Sequence, residues 1–561
     1  MIITKQVSHA WDWRSTSSTQ ARNPALRDRL TLMLLGHSLI WSREASRTFR
    51  DKGGGAEAEC TYVIRWPKKE EEEEEEEYRH RRRFWAVQKV SVKMLSIHAY
   101  VYFSLMGILI LLSCWTSLEV QARTQRMRQL RLHNADSNKD ECDGRRIFMY
   151  DLPPEFNTEL LRKCRYGVTN WLNFCPHAEN GGLGQVYGLL PPNGASPNSL
   201  PPEDAVYLGQ PSADQGGETG YLGPGWYKTD PYMLEIVFHS RMQKYSCLTT
   251  DSSRADALYF PYYVGVDALR YLYNTSVQKD SHGEALVSWI QSNAQEEWGR
   301  FGGKDHFMVF GRTAWDFYLL GNNTHTLWGT GFFHNPQLTN MTALIMEKKP
   351  WMPHEWAIPY LTSFHPSAPE LESWISRVKT SERTSLFSFA GASRSNIPQS
   401  IRNFLLDQCS KSSNCSLINC AVLKCSHNPE PIMKAFLHST FCLQPRGDTP
   451  TRRSAFDSMI AGCIPVFFHN DSAYSQYLWH LPGEPASYSV FISEKEIREG
   501  LIVEDVLRSF PEDRIQRMRE TVISNIPRLV YASTNGEFED AFDVSVRNVL
   551  SRIAKLKRGE V

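Results

Sequence analysis

Short apolar runs alternate with helical stretches over most of the chain, and this alternation constrains the fold more than any other feature of the sequence. The runs "ALYFPYYVG" and "HFMVFGR" are bounded by turn residues, as buried parallel strands are. A second series starts near "SLFSFAGASR" and continues through "TFCLQPRG" and "CIPVFFH". Since alternating strands and helices form parallel sheets, the two series predict an α/β protein with two Rossmann-like domains that face a cleft.

The two predicted domains meet near Arg377–Arg383. The N-terminal domain covers residues 145–380 and starts with a strand at Arg146–Tyr150, and the C-terminal domain covers residues 381–561. The C-terminal domain ends in a helix, about Phe538–Leu556, whose apolar side chains share one face: Phe542, Val546, Val549, Leu550 and Ile553.

One apolar segment, Ile97–Leu118, contains no Asp, Glu, Lys or Arg. At about 20 residues it is long enough to cross a bilayer as a helix, and longer than the apolar part of a cleaved signal peptide, which has about 7–15 residues. Residues 97–118 are therefore predicted to be an uncleaved transmembrane anchor.

Two features predict the orientation of this anchor. Six Lys and Arg residues lie within residues 79–93 and four within residues 123–131, an excess that favours a cytoplasmic N-terminus. All five glycosylation sequons follow the anchor, at Asn274, Asn322, Asn340, Asn414 and Asn470. The C-terminal part is therefore expected to be lumenal, with residues 119–144 as a polar stem.

The segment before the anchor, residues 1–96, is predicted to be a cytoplasmic or spurious extension. It contains a glutamate run at Glu70–Glu77 beside a basic cluster and shows no sustained apolar periodicity, which is typical of disorder. We hypothesise that Met94 is the true start. N-terminal peptides of the purified protein that map before Met94 would contradict this.

The cysteines indicate disulfides rather than a metal site. Ten of the 12 follow the apolar segment, and the closely spaced group Cys409, Cys415, Cys420 and Cys425 contains no C-x-x-C. Zinc is therefore disfavoured, and pairing in an oxidising lumen is expected, with the partners left open. The chain also contains no Asp-x-Asp, so a divalent cofactor is not expected. Because Lys+Arg and Asp+Glu are both 62, no global field favours nucleic acid.

The most informative stretch for chemistry is "FCLQPRGDTPTRRSAFDSMIAGCIPVFFH", which has the pattern strand, loop, helix, strand. A helix N-terminus beside Arg446, Arg452 and Arg453 suits a diphosphate. Asp457, one turn further along, is placed to accept hydrogen bonds from ribose hydroxyls. The alternative interpretation is that Arg453 and Asp457 form an ordinary surface ion pair.

A second loop, "FAGASR", follows the strand that opens the C-terminal series. Gly391 permits close backbone approach there, and Arg394 is a further candidate for contact with a phosphate. On its own this loop does not identify a phosphate site, because many turns between a strand and a helix carry Gly and Arg.

At these residues the sequence resembles the exostosin-like glycosyltransferase family, in its plant branch of xyloglucan galactosyltransferases. The matching pieces run in order from about residue 145 to the C-terminus: "IFMYDLPPEFNTELL", "YYVGVD", "GGKDHFMVFGRTAWDF", "IPYLTSFHP", "FAGASR", "RRSAFDSMIAGCIPVFF" and "AFDVSV". The resemblance implies a GT-B fold, a nucleotide in the C-terminal domain, and inverting transfer from a UDP-sugar without a metal. It also implies a type II Golgi membrane enzyme that acts on a cell-wall polysaccharide, with other Golgi glycosyltransferases as candidate partners.

Carried onto this chain, the family's nucleotide-site segment corresponds to Arg446, Arg452, Arg453 and Asp457. The chain departs from the branch at Ser393, where Pro is frequent, and at "HNDSAY", which replaces a Gly-containing turn. It also carries a long Gly- and Pro-rich insertion at Gly181–Gly225, which is predicted to be a loop.

An inverting transfer needs a base that takes the proton of the acceptor hydroxyl. Asp267 follows "YYVGV" and Asp316 follows "GRTAW", so both are candidates expected at the cleft. His306 is a third candidate, but it precedes its strand and is expected at the far end. The alternatives are that Asp267 caps a helix beginning at Ala268 and that His306 is a hydrogen-bonded core histidine. If Asp267 is the base, Asp267→Asn abolishes transfer and leaves UDP binding intact.

Three other functions compete with galactosyl transfer. The first is transfer of another sugar by the same fold, for example galacturonosyl transfer. The second is a non-catalytic carbohydrate-binding scaffold, although such a protein has no need of a diphosphate site. The third is a polysaccharide hydrolase, which needs paired carboxylates for which the sequence shows no motif.

Overall fold

The computed structural model describes residues 140–188, 221–274, 276–319, 328–394, 397–423, 425 and 428–560. The predicted anchor, stem and N-terminal extension, and most of the predicted loop at 181–225, lie outside these residues except at their edges. Within the described ranges no helix is both long and apolar enough to cross a membrane. Both sheets described below belong to one compact unit, Leu130–Val561.

The first sheet has six strands, all parallel, in the order β2-β1-β3-β4-β5-β6. The apolar runs form its centre, where every residue of β3, β4 and β5 is buried. Its strands are β1 (Ile147–Met149), β2 (Leu248–Thr249), β3 (Ala257–Phe260), β4 (His306–Phe310), β5 (Thr342–Ile345) and β6 (Glu355–Ala357).

The second sheet has five parallel strands in the order β11-β10-β9-β7-β8. Its strands are β7 (Ser385–Gly391), β8 (Cys415–Asn419), β9 (Ser439–Gln444), β10 (Ile464–Phe467) and β11 (Val490–Phe491). Two parallel sheets with helical connections confirm the predicted α/β class.

The described helices connect these strands, together with short 3-10 turns. They are α1 (Thr158–Arg162), α2 (Cys175–Gly182), α3 (Leu234–Met242), α4 (Val264–Asp267), α5 (Ser281–Asn293), α6 (Gln295–Phe301), α7 (Ala368–Thr380), α8 (Ile401–Lys411), α9 (Cys420–Leu423), α10 (Pro429–Leu437), α11 (Arg453–Ile460), α12 (Glu494–Arg498), α13 (Val503–Arg508), α14 (Glu512–Asn525) and α15 (Ala541–Arg558).

The strand order determines where loops can meet a ligand. In the second sheet β7 and β9 are neighbours. The strand that follows β7, β8, lies on one side of this pair, and the strand that follows β9, β10, lies on the other side. Ligands of open parallel sheets bind at such a switch point, beyond the carboxyl ends of the two strands. The loops after β7 and β9 are "FAGASR" and "PRGDTPTRR", the two loops that the sequence singled out.

The last helix, α15, packs against the first sheet, although it follows the strands of the second sheet in the chain. Its Phe542 ring lies 4.8 Å from the Phe238 ring of α3, between centroids, and Asp540 at its N-terminus forms a buried ion pair with Arg241 at 2.5 Å. The five apolar residues predicted for its inner face are all buried, in the core that also contains β4 and β5. The helix prediction is therefore confirmed, while its packing belongs to the first sheet.

All ten cysteines after the apolar segment are paired, as expected. The bridges are Cys142–Cys247, Cys164–Cys175, Cys409–Cys415, Cys420–Cys425 and Cys442–Cys463. The last of these joins neighbouring strands of the second sheet, since Cys442 lies in β9 and Cys463 directly precedes β10.

Removal of the Cys142–Cys247 bridge should destabilise the protein more than removal of the Cys420–Cys425 bridge. The first spans 105 residues and the second 5. Loop-closure entropy then gives losses of about 5 and about 2 kcal/mol in the free energy of unfolding. Denaturant unfolding of the two double Cys→Ala variants measures both, and an equal loss would contradict the expectation.

Candidate active site

The loops after β7 and β9 bring three arginines together at the switch point. Arg394 follows β7, Arg402 lies in the first turn of α8, and Arg452 directly precedes α11. The Arg452 guanidinium lies against Gly447, where any side chain would collide with it. The absence of a side chain at Gly447 leaves room for the guanidinium in this position.

These three guanidinium groups have one carboxylate among them. Asp448 pairs with Arg394, and its side chain is 81% exposed. Burial, and after it the charges of Arg452 and Arg394, lower the pKa of Arg402 to about 10. The buried Nε of Arg452 has no hydrogen-bond partner among the described residues. Since the cluster carries two positive charges more than its own carboxylate balances, an anion with two negative charges would relieve the repulsion.

The other predicted nucleotide-site residues have protein partners instead. Arg446 pairs with Glu494, with 2.7 Å between Nε and Oε1. Arg453 donates to the Thr229 carbonyl at 2.9 Å and to the Ser363 hydroxyl at 2.6 Å, so it joins α11 to loops of the N-terminal half.

Asp457 is buried beside Arg453, with 3.4 Å between its Oδ2 and the arginine Nε. Burial raises the pKa of Asp457, and the charge of Arg453 opposes this. The pair is therefore internal rather than on the surface. The roles predicted for Arg446, Arg453 and Asp457 stay predictions.

Glu347 connects the first sheet to the loop after β9. It follows β5 and is fully buried. Its carboxylate accepts hydrogen bonds from Trp315 Nε1 at 2.8 Å, from the Thr449 hydroxyl at 2.8 Å and from the Thr451 backbone N–H at 3.1 Å. The same carboxylate binds Trp315 of the N-terminal half and two threonines of the loop after β9. Glu347 therefore fixes the position of that loop against the N-terminal half.

Glu347 should make the stability of the protein depend on pH. Burial raises the pKa of its carboxyl from 4.5 to about 7 against hydrogen bonds that lower it. At pH values between these two pKa values, the folded protein holds a proton on Glu347 that the unfolded chain lacks, so the stability of the fold decreases as the pH rises. Relative to Glu347→Gln, the free energy of unfolding of the wild type should fall from about pH 5 to about pH 7. Urea unfolding at several pH values measures this, and a constant difference would contradict it.

The N-terminal wall of the site is built on α3 and β4. Glu235 of α3 accepts backbone hydrogen bonds from Gly265 at 2.6 Å and Gly311 at 2.7 Å, and so holds the carboxyl ends of β3 and β4 together. Arg312 follows β4 and lies 4.6 Å from the centroid of the Tyr232 ring. Tyr232 is within electrostatic reach of Arg452, which links this wall to the arginine cluster.

Asp316 belongs to this wall. It lies in a 3-10 turn, Ala314–Phe317, after β4. Its Oδ1 accepts a hydrogen bond from Trp328 Nε1 at 2.6 Å, and its Oδ2 lies 3.7 Å from Arg312 Nη1, too far for a hydrogen bond. No described residue hydrogen-bonds Oδ2, so this oxygen is the one placed to accept a proton.

Asp267 and His306 are enclosed by the fold. Asp267 is 1% exposed, accepts a hydrogen bond from Tyr262 at 2.5 Å and pairs with Arg270. It makes no side-chain cap to the turn that starts at Ala268, so the cap interpretation is wrong.

His306, the first residue of β4, lies at the amino end of its strand, between Asp305 at 2.8 Å and the Tyr150 hydroxyl at 2.9 Å. Burial lowers its pKa, as expected of a core histidine. Asp267 and His306 are both buried, and their catalytic roles stay untested predictions.

Two residues of the site, Arg402 and Glu347, were not predicted from the sequence. Arg402 lies in an ordinary amphipathic helix, and no local signal separates it from a surface arginine. Glu347 follows a buried strand, as Asp267 and Asp316 do, so the rule that selected those aspartates would have found it. In the described part of the chain, no group of three or more His, Cys, Asp or Glu side chains is placed to hold a metal ion.

Comparison with known proteins identifies the family of this chain. The profile of the exostosin GT47 domain matches residues 141–510, which contain both sheets. The chain belongs to the exostosin GT47 family. It is a glycosyltransferase, and as a member of this family it uses a sugar donor and a polysaccharide acceptor.

Several curated relatives of this GT47 protein come from Arabidopsis thaliana. Xyloglucan galactosyltransferase MUR3 is 41% identical over 77% of this chain and 66% of its own length. The probable xyloglucan galactosyltransferase GT15 is 40% identical over 76% of this chain and 85% of its own length. Xyloglucan-specific galacturonosyltransferase 1 is 34% identical over 76% of this chain and 60% of its own length.

Solved structures are more distant from the GT47 chain. A glycosyltransferase from Rickettsia africae ESF-5 is 8% identical and aligns with a TM-score of 0.30, over 58% of this chain and 94% of its own. A similarity this low adds nothing to the assignment.

Proposed function

We propose that this GT47 protein transfers galactose from UDP-galactose to side chains of xyloglucan. The observation that carries the proposal is the cluster of Arg394, Arg402 and Arg452 at the switch point of the second sheet. Its two unbalanced positive charges suit the diphosphate of a nucleotide sugar, and the N-terminus of α11 adds a favourable dipole. The relatives named as xyloglucan galactosyltransferases support the sugar and the polymer.

The transfer is a single displacement that inverts the anomeric centre, in a GT-B arrangement of the two halves. A hydroxyl oxygen of the acceptor bonds to the anomeric carbon as the bond from that carbon to the UDP oxygen breaks. Asp316 takes the hydroxyl proton through Oδ2, and the three arginines stabilise the departing diphosphate. Because arginines neutralise the leaving group, the reaction proceeds without a divalent metal.

The proposal includes a type II membrane protein of the Golgi, with the described region in the lumen. Five disulfides suit an oxidising compartment. Asn340 and Asn470, two of the sequon asparagines, are exposed. The membrane anchor at residues 97–118 and any partnership with other Golgi glycosyltransferases remain proposals of the same kind.

A donor panel tests this function. The full-length protein is incubated with xyloglucan oligosaccharide and either UDP-galactose or UDP-galacturonic acid, with EDTA present. Transfer from UDP-galactose supports the proposal, including its independence of metal. Transfer from UDP-galacturonic acid alone would favour the second candidate, which the galacturonosyltransferase relative suggests. Binding of xyloglucan without binding of UDP would favour a non-catalytic scaffold.

A further inference from the structure

A row of exposed aromatic rings runs outward from the candidate active site. The Trp328 ring lies 5.9 Å from the Arg312 guanidinium, the Tyr273 ring lies 5.3 Å from Trp328, and the Trp171 ring lies 5.5 Å from Tyr273. Arg312 also covers the ring of Tyr232. We call these four rings the aromatic row: Tyr232, Trp328, Tyr273 and Trp171.

The row is exposed where large apolar side chains are normally buried. The exposed fractions are 40% for Tyr232, 43% for Trp328, 57% for Tyr273 and 43% for Trp171. Single exposed aromatics need no explanation, but Trp328, Tyr273 and Trp171 touch one another in sequence. Arg312 joins Tyr232 to them, so the row forms a continuous surface of the kind that marks a binding site.

The two outer rings of the aromatic row, those of Trp171 and Tyr273, are held in place by the chain around them. Trp171 lies in a turn closed by the Cys164–Cys175 bridge. Tyr273 has a φ of 57°, in the left-handed region that an aromatic residue rarely adopts. Such a conformation is maintained only where the surrounding structure enforces it, and these positions are frequent at ligand sites.

We propose that the aromatic row binds the acceptor polysaccharide beyond the sugar that reacts. This rests on the proposed function and extends it to the acceptor. The C–H faces of pyranose rings are apolar and pack on aromatic rings, while their hydroxyls stay in water. The Trp328 N–H is already used by Asp316, so the reacting end of the row is fixed to the proposed base.

The ring orientations suit a branched chain. The planes of Trp171 and Tyr273 are inclined by 84°, and those of Tyr273 and Trp328 by 72°. Successive rings therefore present faces in different directions. A branched saccharide, whose backbone and side-chain rings lie in different planes, can pack on such faces, whereas a flat array would favour an unbranched chain.

One competing occupant lies close to the row. Asn274, the residue after Tyr273, is a sequon asparagine, and a glycan attached there could cover the Tyr273 ring. The variant Asn274→Gln removes that glycan.

The test measures polymer binding apart from catalysis. The full-length protein is run in native gels that contain increasing xyloglucan, which gives a dissociation constant without turnover. Trp171→Ala and Tyr273→Ala should each weaken retention about tenfold, as truncation of a central aromatic in a binding surface does. Tyr273→Phe should retain affinity, and UDP binding should stay unchanged. The matched control is Phe301→Ala, an exposed aromatic of α6 that is 40% exposed and outside the row.

Unchanged retention of Trp171→Ala and Tyr273→Ala would overturn the proposal. Loss of the effect of both substitutions in the Asn274→Gln background would overturn it too, because the glycan rather than the row would then contact the polymer. Failure of galactosyl transfer with retention still dependent on Trp171 and Tyr273 would reject the proposed donor and leave the row standing.

Discussion

Arg452→Ala is expected to weaken UDP binding roughly a hundredfold, because an arginine that meets a buried phosphate contributes about 2–5 kcal/mol when it is truncated. Its buried Nε has no hydrogen-bond partner among the described residues, so the fold should lose little. Titration calorimetry with UDP measures the affinity, and thermal unfolding followed by circular dichroism checks the fold.

The matched control is Arg446→Ala, in the same loop. Arg446 is 45% exposed in its side chain and pairs with Glu494, so its loss should change UDP affinity far less. A larger effect at Arg446 than at Arg452 would move the diphosphate away from the arginine cluster.

Asp316→Asn is expected to lower kcat by about 10²–10⁴, the range for loss of a general base, with UDP affinity unchanged. Asparagine keeps an oxygen for the Trp328 N–H, so the wall of the site should keep its shape. Initial rates with UDP-galactose and saturating xyloglucan oligosaccharide give kcat.

Asp267→Asn provides the contrast, because the sequence suggested it as the base. Since Asp267 is buried between Tyr262 and Arg270, its replacement should lower the melting temperature and leave the kcat of the folded protein near that of the wild type. Near-normal turnover of Asp316→Asn together with an inactive, folded Asp267→Asn would reverse the assignment.

The sequence predicted those features that a local pattern determines. Apolar runs located β3, β4, β7, β9 and β10, and the pattern strand, loop, helix, strand located α11. These succeeded because a strand or an amphipathic helix shows its own periodicity.

Features that depend on contacts between distant parts of the chain could not be predicted from the sequence. Asp267 and Asp316 both follow buried strands, yet Tyr262 and Arg270 enclose the first, while one oxygen of the second is left without a hydrogen bond from any described residue. The contact between Glu347 and Thr451 joins residues 104 positions apart. No pattern within a window of the sequence distinguishes such outcomes.

The return of α15 to the first sheet has a consequence for synthesis. The first half of the protein lacks Phe542 and the carboxylate that neutralises its buried Arg241 until the last helix has been made. An unpaired buried charge is strongly destabilising, so this half cannot complete its core while it is still attached to the ribosome. We therefore expect a stop codon before Asp540 to leave a chain that does not fold stably, even though the arginine cluster and Asp316 are all intact in it.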